Sequence, residues 1–247
     1  MHWLNRGESA PGFQVIGHRG AAGLAPENTL TSFRTAIALG CPMLELDVHV
    51  VHDRRGTAHL CVIHDFTLQR TTDGNGRVSD ATLAGIKALH SQGEAVPFLP
   101  DVLELLRSHP EVALNIELKG VGTGAVLAAL LAELEHPSGL LVSSFVLGEL
   151  EAFRAANRST ALAVLLERWR PDWSHLADAL DARAVNLSNR IVTQPRVRDV
   201  VASGREVYVY TVNRKQRAAK LRDWGVQGIF TDRPDRMRPL IFSRADR

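Results

Sequence analysis

The chain has 247 residues, 45% of them hydrophobic and 23% charged, with a formal net charge of +2 at pH 7. That length suits one (β/α)8 barrel of about 250 residues, and the apolar share supports a full core. So small a charge excludes the electrostatic footprint of a nucleic-acid binder. No run approaches the ~20 apolar residues that span a bilayer, and residues 1–8 lack a secretory apolar stretch, so a cytoplasmic protein without stable membrane insertion is expected.

In chain order, strand-like runs cover residues 13–16, 43–50, 114–118, 140–144, 161–166, 184–187, 207–212 and 228–231. They are nearly continuous apolar runs, the pattern of parallel strands buried on both faces. Helical patterns alternate with them. Asn28 or Thr29 caps a helix through Leu39 that stops at Gly40. Further helices cover 99–107, 124–134, 148–156, 195–203 and 214–224, with a weaker pattern over 173–180. The alternation predicts one α/β domain over 1–247, a closed (β/α)8 TIM barrel with its chemistry at the strands' C-terminal ends. A doubly wound open sheet is disfavoured, because no Gly-x-Gly-x-x-Gly follows the first strand.

One segment breaks the alternation. Too few residues separate the second strand from the apolar run 59–63 for a parallel crossover, so Asp53-Arg54-Arg55-Gly56 reads as a hairpin turn. Folding about residue 55 sets Asp47 opposite Ile63 and returns His64 to the barrel mouth. A small insertion at about 66–98 then precedes helix 3, with a turn over residues 73–76 and a short helix capped by Ser79. Cys41 and Cys61, the only cysteines, read as reduced buried hydrophobes.

Chemistry gathers where strands end. His18 lies in Gly17-His18-Arg19-Gly20 after the first strand, and Glu45 and Asp47 share one face of the second. Glu117 and Lys119 share one face at the end of the third. A His-Arg-Gly triplet alone could be a polar loop with a helix-entry glycine; polar residues closing three successive strands point to a site. Three carboxylates on one mouth could not all stay ionised without a cation between them. Oxygen ligands select Mg²⁺ or Ca²⁺ over zinc. His49, His52 and His59 read more simply as solvated hairpin histidines, with His49 alone sharing the parity of Glu45 and Asp47. Two imidazoles, paired carboxylates and an arginine are what metal-assisted phosphodiester cleavage requires. Gly120-Val121-Gly122-Thr123-Gly124 lacks the ending of a nucleotide loop, and Ser143-Ser144-Phe145 lacks the glycines of a serine-hydrolase elbow.

These residues carry a family resemblance. His18-Arg19-Gly20, Pro26-Glu27-Asn28-Thr29, the Glu45 to Val48 block, His64-Asp65 and Arg70-Thr71-Thr72 occur in the family's order. Thr211-Val212-Asn213 and Thr231-Asp232-Arg233-Pro234 complete the pattern over about residues 15–235. The chain resembles the glycerophosphodiester phosphodiesterases, a branch of the phosphatidylinositol-phospholipase-like barrels. The resemblance implies hydrolysis of a small glycerophosphodiester to glycerol 3-phosphate and an alcohol. It implies that His18 and His64 form the acid/base pair, that Arg19 and Lys119 bind phosphate, and that Glu45, Asp47 and Glu117 hold one divalent cation, Mg²⁺ or Ca²⁺. Lys119 is one of only four lysines among 29 basic residues; its alternative is a salt bridge to a neighbouring carboxylate. Tyr210 stands where many members have tryptophan and is placed at the mouth in contact with substrate, a buried barrel aromatic being its alternative. Gln227 stands where many have aspartate. Both departures bear on the alcohol half. The rival readings are a phospholipase D-like barrel acting on lysolipids or sphingolipids, and a catalytically silent barrel that binds phosphorylated ligands. The polar Gln69, Arg70, Asp73 and Asn75 of the insertion disfavour the first.

Overall fold

The computed structural model describes residues 12–137 and 139–241, so the stretch 1–8, expected to lack a secretory apolar run, lies outside the described residues. Among the described residues, nine strands form the main sheet, and eight of them run parallel and close into a barrel. These eight are β1 (Gln14–Gly17), β2 (Met43–His52), β6 (Ala113–Leu118), β7 (Leu140–Ser144), β8 (Ala161–Leu166), β9 (Ala184–Ser188), β10 (Glu206–Tyr210) and β11 (Gly228–Thr231). β1 closes the ring, pairing Val15 with Ile229 on one side and Ile16 with Met43 on the other. The apolar runs are continuous because both faces are buried. Met43, Ala113, Leu141, Ala163, Ala184 and Tyr208 pack inside the barrel, while Val15, Leu44, Ile116 and Val142 pack outward beneath the helices.

β3 (Ala58–Val62) is the ninth strand, antiparallel to the overhanging end of β2. Val48 pairs with Val62, and the Ile63 N–H donates to the Asp47 carbonyl at 3.1 Å, the register expected from a fold about residue 55. α1 (Leu30–Ala38) is capped by Thr29, whose Oγ1 accepts from the Ser32 N–H at 3.2 Å. Asn28, the other candidate cap, takes φ +58° and turns its amide to Asp47 instead.

The insertion is a packed element. It holds α2 (Leu83–Lys87) and the small ribbon of β4 (His90–Ser91) with β5 (Glu94–Ala95). Leu68, Val78 and Ile86 form a core with Val51, Cys61 and Ile63 of the hairpin. The expected cap at Ser79 is corrected: residues Val78–Asp80 make one 3-10 turn, and α2 is capped by Thr82, whose Oγ1 accepts from the Gly85 N–H at 3.1 Å. The Ser79 hydroxyl goes to Asp80 Oδ1 and so cannot serve a helix end.

The insertion leads into α3 (Leu99–Arg107), then α4 (Thr123–Glu133) and α5 (Leu147–Ala156) cover the next crossovers. The start of α4 is occupied from within: the Glu149 carboxylate accepts from the Gly122 and Gly124 N–H groups at 2.9 and 2.8 Å. A carboxylate already held by these amides competes with a phosphate for the same helix N-terminus, so the glycine-rich stretch serves as a connecting loop. α6 (Trp173–Ala179), α7 (Gln194–Ala202) and α8 (Lys215–Asp223) complete the outer ring. No described helix is long and apolar enough to cross a membrane.

Candidate active site

β1 ends at Gly17, and the chain bends sharply through His18-Arg19-Gly20. Gly20 has φ +81°, and a Cβ there would come within 2.6 Å of the Ser32 backbone, so the loop can lie on α1 only with glycine. Arg19 also has a positive φ, +52°, a conformation that costs a non-glycine residue about 1–2 kcal/mol. What holds it there is Glu45, whose Oε2 accepts from the Arg19 N–H at 2.8 Å. The guanidinium reaches Glu27 Oε1 at 2.8 Å and lies 3.4 Å from Asp47 Oδ2.

His18 Nδ1 lies 2.6 Å from Asp232 Oδ1, across the seam between β1 and the end of β11. Asp232 is held in turn by Asn213, which donates to Oδ2 at 2.7 Å and accepts from the Asp232 N–H at 2.9 Å. Burial opposes ionisation of Asp232, but the His18 and Asn213 hydrogen bonds keep its carboxyl below the usual range.

Glu45, Asp47 and Glu117 project into one space, with candidate ligand atoms within 4.8 Å of one another, and all three are buried. Parity on β2 and β6 brings them together, since Glu45 pairs with Asn115 and Asp47 with Glu117. Their ionisation is divided. Burial, Asp47 and Glu117 push Glu45 well above the carboxylate range. Burial and Asp47 push Glu117 up to about 7, against the pull of Lys119. Asp47 alone stays low, at about 2, because Lys119, Arg19, His64 and Asn28 outweigh its burial. Lys119 Nζ lies 3.3 Å from Asp47 Oδ1 and pairs with Glu117, so the salt bridge weighed for it in the sequence is present. The same ammonium faces the cavity and sits 5.5 Å from the centre of the Phe145 ring.

The hairpin delivers His64 to this cluster. Its Nδ1 lies 2.6 Å from Asp65 Oδ1, and burial lowers its pKa despite the neighbouring Asp47. His49 is not a solvated histidine. It is buried edge-on to Phe66, ring centres 5.2 Å apart, with Nε2 3.4 Å from the His64 carbonyl, so it supports the loop beneath His64 and does not line the cavity. Burial is decisive here, because the hairpin's inner face is covered by the insertion. Among the described residues the three-carboxylate cluster stands as the metal-capable group, and His52 and His59 take no part in it.

The cavity encloses about 270 Å³ and is lined by His18, Arg19, Glu45, His64, Glu117 and Lys119, with Tyr210 across the mouth. Tyr210 packs edge-on to Phe145 at 5.9 Å, and its hydroxyl lies 3.4 Å from Glu167 Oε2. Gln227, by contrast, lies at the opposite end of the barrel, where its side chain caps the Val207 N–H at 2.6 Å. It has no contact with the mouth and no bearing on the alcohol half. Sequence reasoning assigned no role to Asn115 and Asn186, both buried in the cavity wall, with Nδ2 of Asn115 donating to Ser143 Oγ at 3.0 Å. The signal was available: each interrupts an apolar strand with the parity of inward residues. Asp232, Glu27 and Arg70 stand in the family's motifs, but spacing alone gives them no role.

Comparison with known proteins agrees with this geometry. The model of the Glycerophosphoryl diester phosphodiesterase family matches residues 18–236. YhdW of Bacillus subtilis is 35% identical over 239 residues, covering 90% of this chain and 95% of its own. A glycerophosphodiester phosphodiesterase of Bacillus altitudinis is 34% identical, over 90% of this chain and 96% of its own. An Oleispira antarctica phosphodiesterase, solved with the product sn-glycerol-3-phosphate, superimposes with a TM-score of 0.85 at 30% identity, over 93% of this chain and 97% of its own. The chain belongs to the glycerophosphoryl diester phosphodiesterase family and is one of its enzymes.

Proposed function

We propose that this barrel hydrolyses glycerophosphodiesters to glycerol 3-phosphate and a free alcohol in a metal-dependent reaction, with His18 and His64 as the acid/base pair. The observation that carries the reading is two histidine–aspartate pairs facing one buried three-carboxylate cluster in a single cavity. Each aspartate engages Nδ1 and so leaves Nε2 as the working nitrogen. One histidine takes a proton from the attacking oxygen, whether water or the glycerol 2-hydroxyl, and the other gives a proton to the departing alkoxide. Arg19 and Lys119 hold the phosphoryl oxygens as charge develops on them. The product found in the Oleispira antarctica enzyme supports the same ligand class here.

The residues fit a divalent ion. Glu45 Oε1 is buried with no hydrogen-bond partner, and burial, followed by the neighbouring carboxylates, raises the pKa values of Glu45 and Glu117 against the pull of Arg19 and Lys119. Glu45, Asp47 and Glu117 would hold one Mg²⁺ or Ca²⁺, whose charge helps neutralise the phosphoryl group. The test is turnover of glycerophosphocholine. It should vanish after exhaustive chelation and return with Mg²⁺ or Ca²⁺; full activity in EDTA would remove the metal from the mechanism.

One observation favours a second substrate. The insertion is polar in sequence, yet Phe66 and Val121, each two residues past a cavity-lining residue (His64 and Lys119), are 60% and 90% exposed, and exposed Phe145 lines the cavity itself. An apolar rim suits a lysolipid tail, and lysophosphatidylcholine turnover relative to glycerophosphocholine measures that reading. The presence of both histidines and all three carboxylates argues against the silent barrel.

A further inference from the structure

We propose that Arg70, from the insertion, is a positioning residue that ties His64 and Arg19 into one array. This rests on the roles given to those two residues above.

The guanidinium bridges two carboxylates. Nε and Nη2 donate to Asp65 Oδ2 and Oδ1 at 2.5 and 2.8 Å, and Nη1 and Nη2 donate to Glu27 Oε2 and Oε1 at 2.8 and 2.7 Å. The oxygens it shares are the ones that matter. Asp65 Oδ1 is also 2.6 Å from His64 Nδ1, and Glu27 Oε1 also accepts from Arg19 Nη1 at 2.8 Å. One nitrogen, Arg70 Nη2, therefore touches both oxygens that orient the general acid/base and the phosphate-binding arginine. The path runs His64, Asp65, Arg70, Glu27, Arg19 without a gap.

Only arginine can do this. Four donors in a rigid plane meet two carboxylates, whereas a lysine would supply one point charge. An isolated exposed ion pair contributes little to stability, and Arg70 is half exposed. Its use lies in geometry: both oxygens of each carboxylate are engaged, one of them shared with the functional partner, so neither carboxylate can rotate away from that partner. Charge acts in the same direction, keeping Asp65 and Glu27 ionised as acceptors. The backbone that carries Arg70 is itself fixed, since Thr72 donates to the Leu68 carbonyl through both N–H and Oγ1, and Leu68 is in the insertion core. The insertion, packed on the hairpin, thus supports catalysis from outside the cavity.

The experiment compares Arg70→Met, Arg70→Lys, Asp65→Asn and Arg70→Met/Asp65→Asn in the full chain with saturating Mg²⁺. Thermal midpoints establish that each is folded. On glycerophosphocholine, Arg70→Met should lose at least tenfold in kcat and raise KM, and Arg70→Lys should recover less than half of that loss. Adding Asp65→Asn to Arg70→Met should cost under threefold more, since the array is already broken. Ring nitrogen NMR provides a readout independent of turnover. The His64 imidazole should hold the Nδ1–H tautomer in the parent protein and become mixed in Arg70→Met, with His18 unchanged. A folded Arg70→Met with kcat and KM within twofold, fully multiplicative losses, or an unchanged His64 tautomer would overturn the proposal. A parent protein without turnover but with the tautomer shift would overturn the functional reading and leave the array standing.

Discussion

The two histidine–aspartate pairs have the same 2.6 Å contact and opposite construction. His18 meets an aspartate 214 positions away, across the closing seam of the barrel, and a neutral amide, Asn213, braces that aspartate. His64 meets its own neighbour on a loop, and a charged side chain from the insertion braces it. The first geometry is guaranteed by barrel closure, because β1 and β11 are in register over four residue pairs. The second depends on a hairpin and an added subdomain. Exposure follows the difference: the His18 side chain is 15% exposed and that of His64 31%. The comparison teaches that one imidazole is set by the scaffold and the other by an accessory that can be altered separately.

The largest effects should erase the difference. General acid–base groups contribute about 10²–10⁴-fold each, so His18→Ala and His64→Ala should each lose at least that much kcat, measured at saturating substrate and metal. The parent's pH profile should carry a limb from His64 that lies below the ordinary imidazole value, because burial lowers its pKa. Near-parental kcat in either alanine variant would break the pairing.

A smaller effect should expose the difference. Replacing the aspartate by asparagine lets the imidazole adopt the wrong tautomer. Asp232→Asn should lower kcat about 10–10³-fold, and Asn213→Ala, which only loosens Asp232, about tenfold or less. Neither should respond to changes in the insertion. If Asn213→Ala alters KM and leaves kcat alone, Asp232 serves substrate binding and the two pairs are not equivalent.

Much of this was legible in the sequence because it depends on periodicity. The eight strands, the register of the hairpin and the convergence of Glu45, Asp47 and Glu117 follow from a two-residue repeat on buried strands. Lys119 was legible as far as its face, but its choice between carboxylate and phosphate depends on what else fills the mouth. The braces were illegible in detail. Asp232, Asn213, Glu27 and Arg70 meet His18, His64 and Arg19 through side-chain directions at loop ends, which no periodicity fixes. Ser79 failed as a cap for a similar reason: both Ser79 and Thr82 have the right chemistry, and only the backbone path decides between them.

Glu45→Gln leaves both pairs intact and tests the cluster between them. The folded pKa of Glu45 is raised, so the folded protein retains a proton that the unfolded chain, with an ordinary value near 4.5, has released. Without metal, stability should therefore fall as pH rises above about 4.5. Removing the carboxylate removes that penalty. Each unit of pKa shift is worth about 1.4 kcal/mol, and each kcal/mol moves the midpoint about 2–4 °C in a chain of this size. Chelated Glu45→Gln should melt a few degrees above the parent at pH 8 and together with it at pH 4. Added Mg²⁺ should raise the parent's midpoint and leave that of Glu45→Gln nearly unmoved. A variant less stable than the parent at pH 8 in EDTA would show that Glu45 is structural.

The smallest effect belongs to Tyr210, the aromatic opposite both pairs. Its hydroxyl is 3.4 Å from Glu167 Oε2, too long to be a strong hydrogen bond, while its ring is held edge-on against Phe145. Tyr210→Phe keeps the ring contact and removes a bond worth about 0.5–1.5 kcal/mol at most. For glycerophosphocholine, glycerophosphoethanolamine and glycerophosphoglycerol, kcat/KM should then change by under about tenfold. The three substrates should differ among themselves by no more than about 1–3 kcal/mol, the value of small pocket differences. The reason is placement: Arg19, Lys119 and the carboxylates project from strand ends on a rigid barrel, whereas Tyr210, the aromatic expected to meet the alcohol half, offers a ring face and one weakly held hydroxyl. A diester without glycerol, bis(p-nitrophenyl) phosphate, should be much poorer, and equal turnover of it would mean that the glycerol end is not read. A loss well beyond tenfold in Tyr210→Phe, equal for all three alcohols, would place the phenol beside His18 and His64 as a third proton-handling group, and the symmetry of two pairs would no longer describe the site.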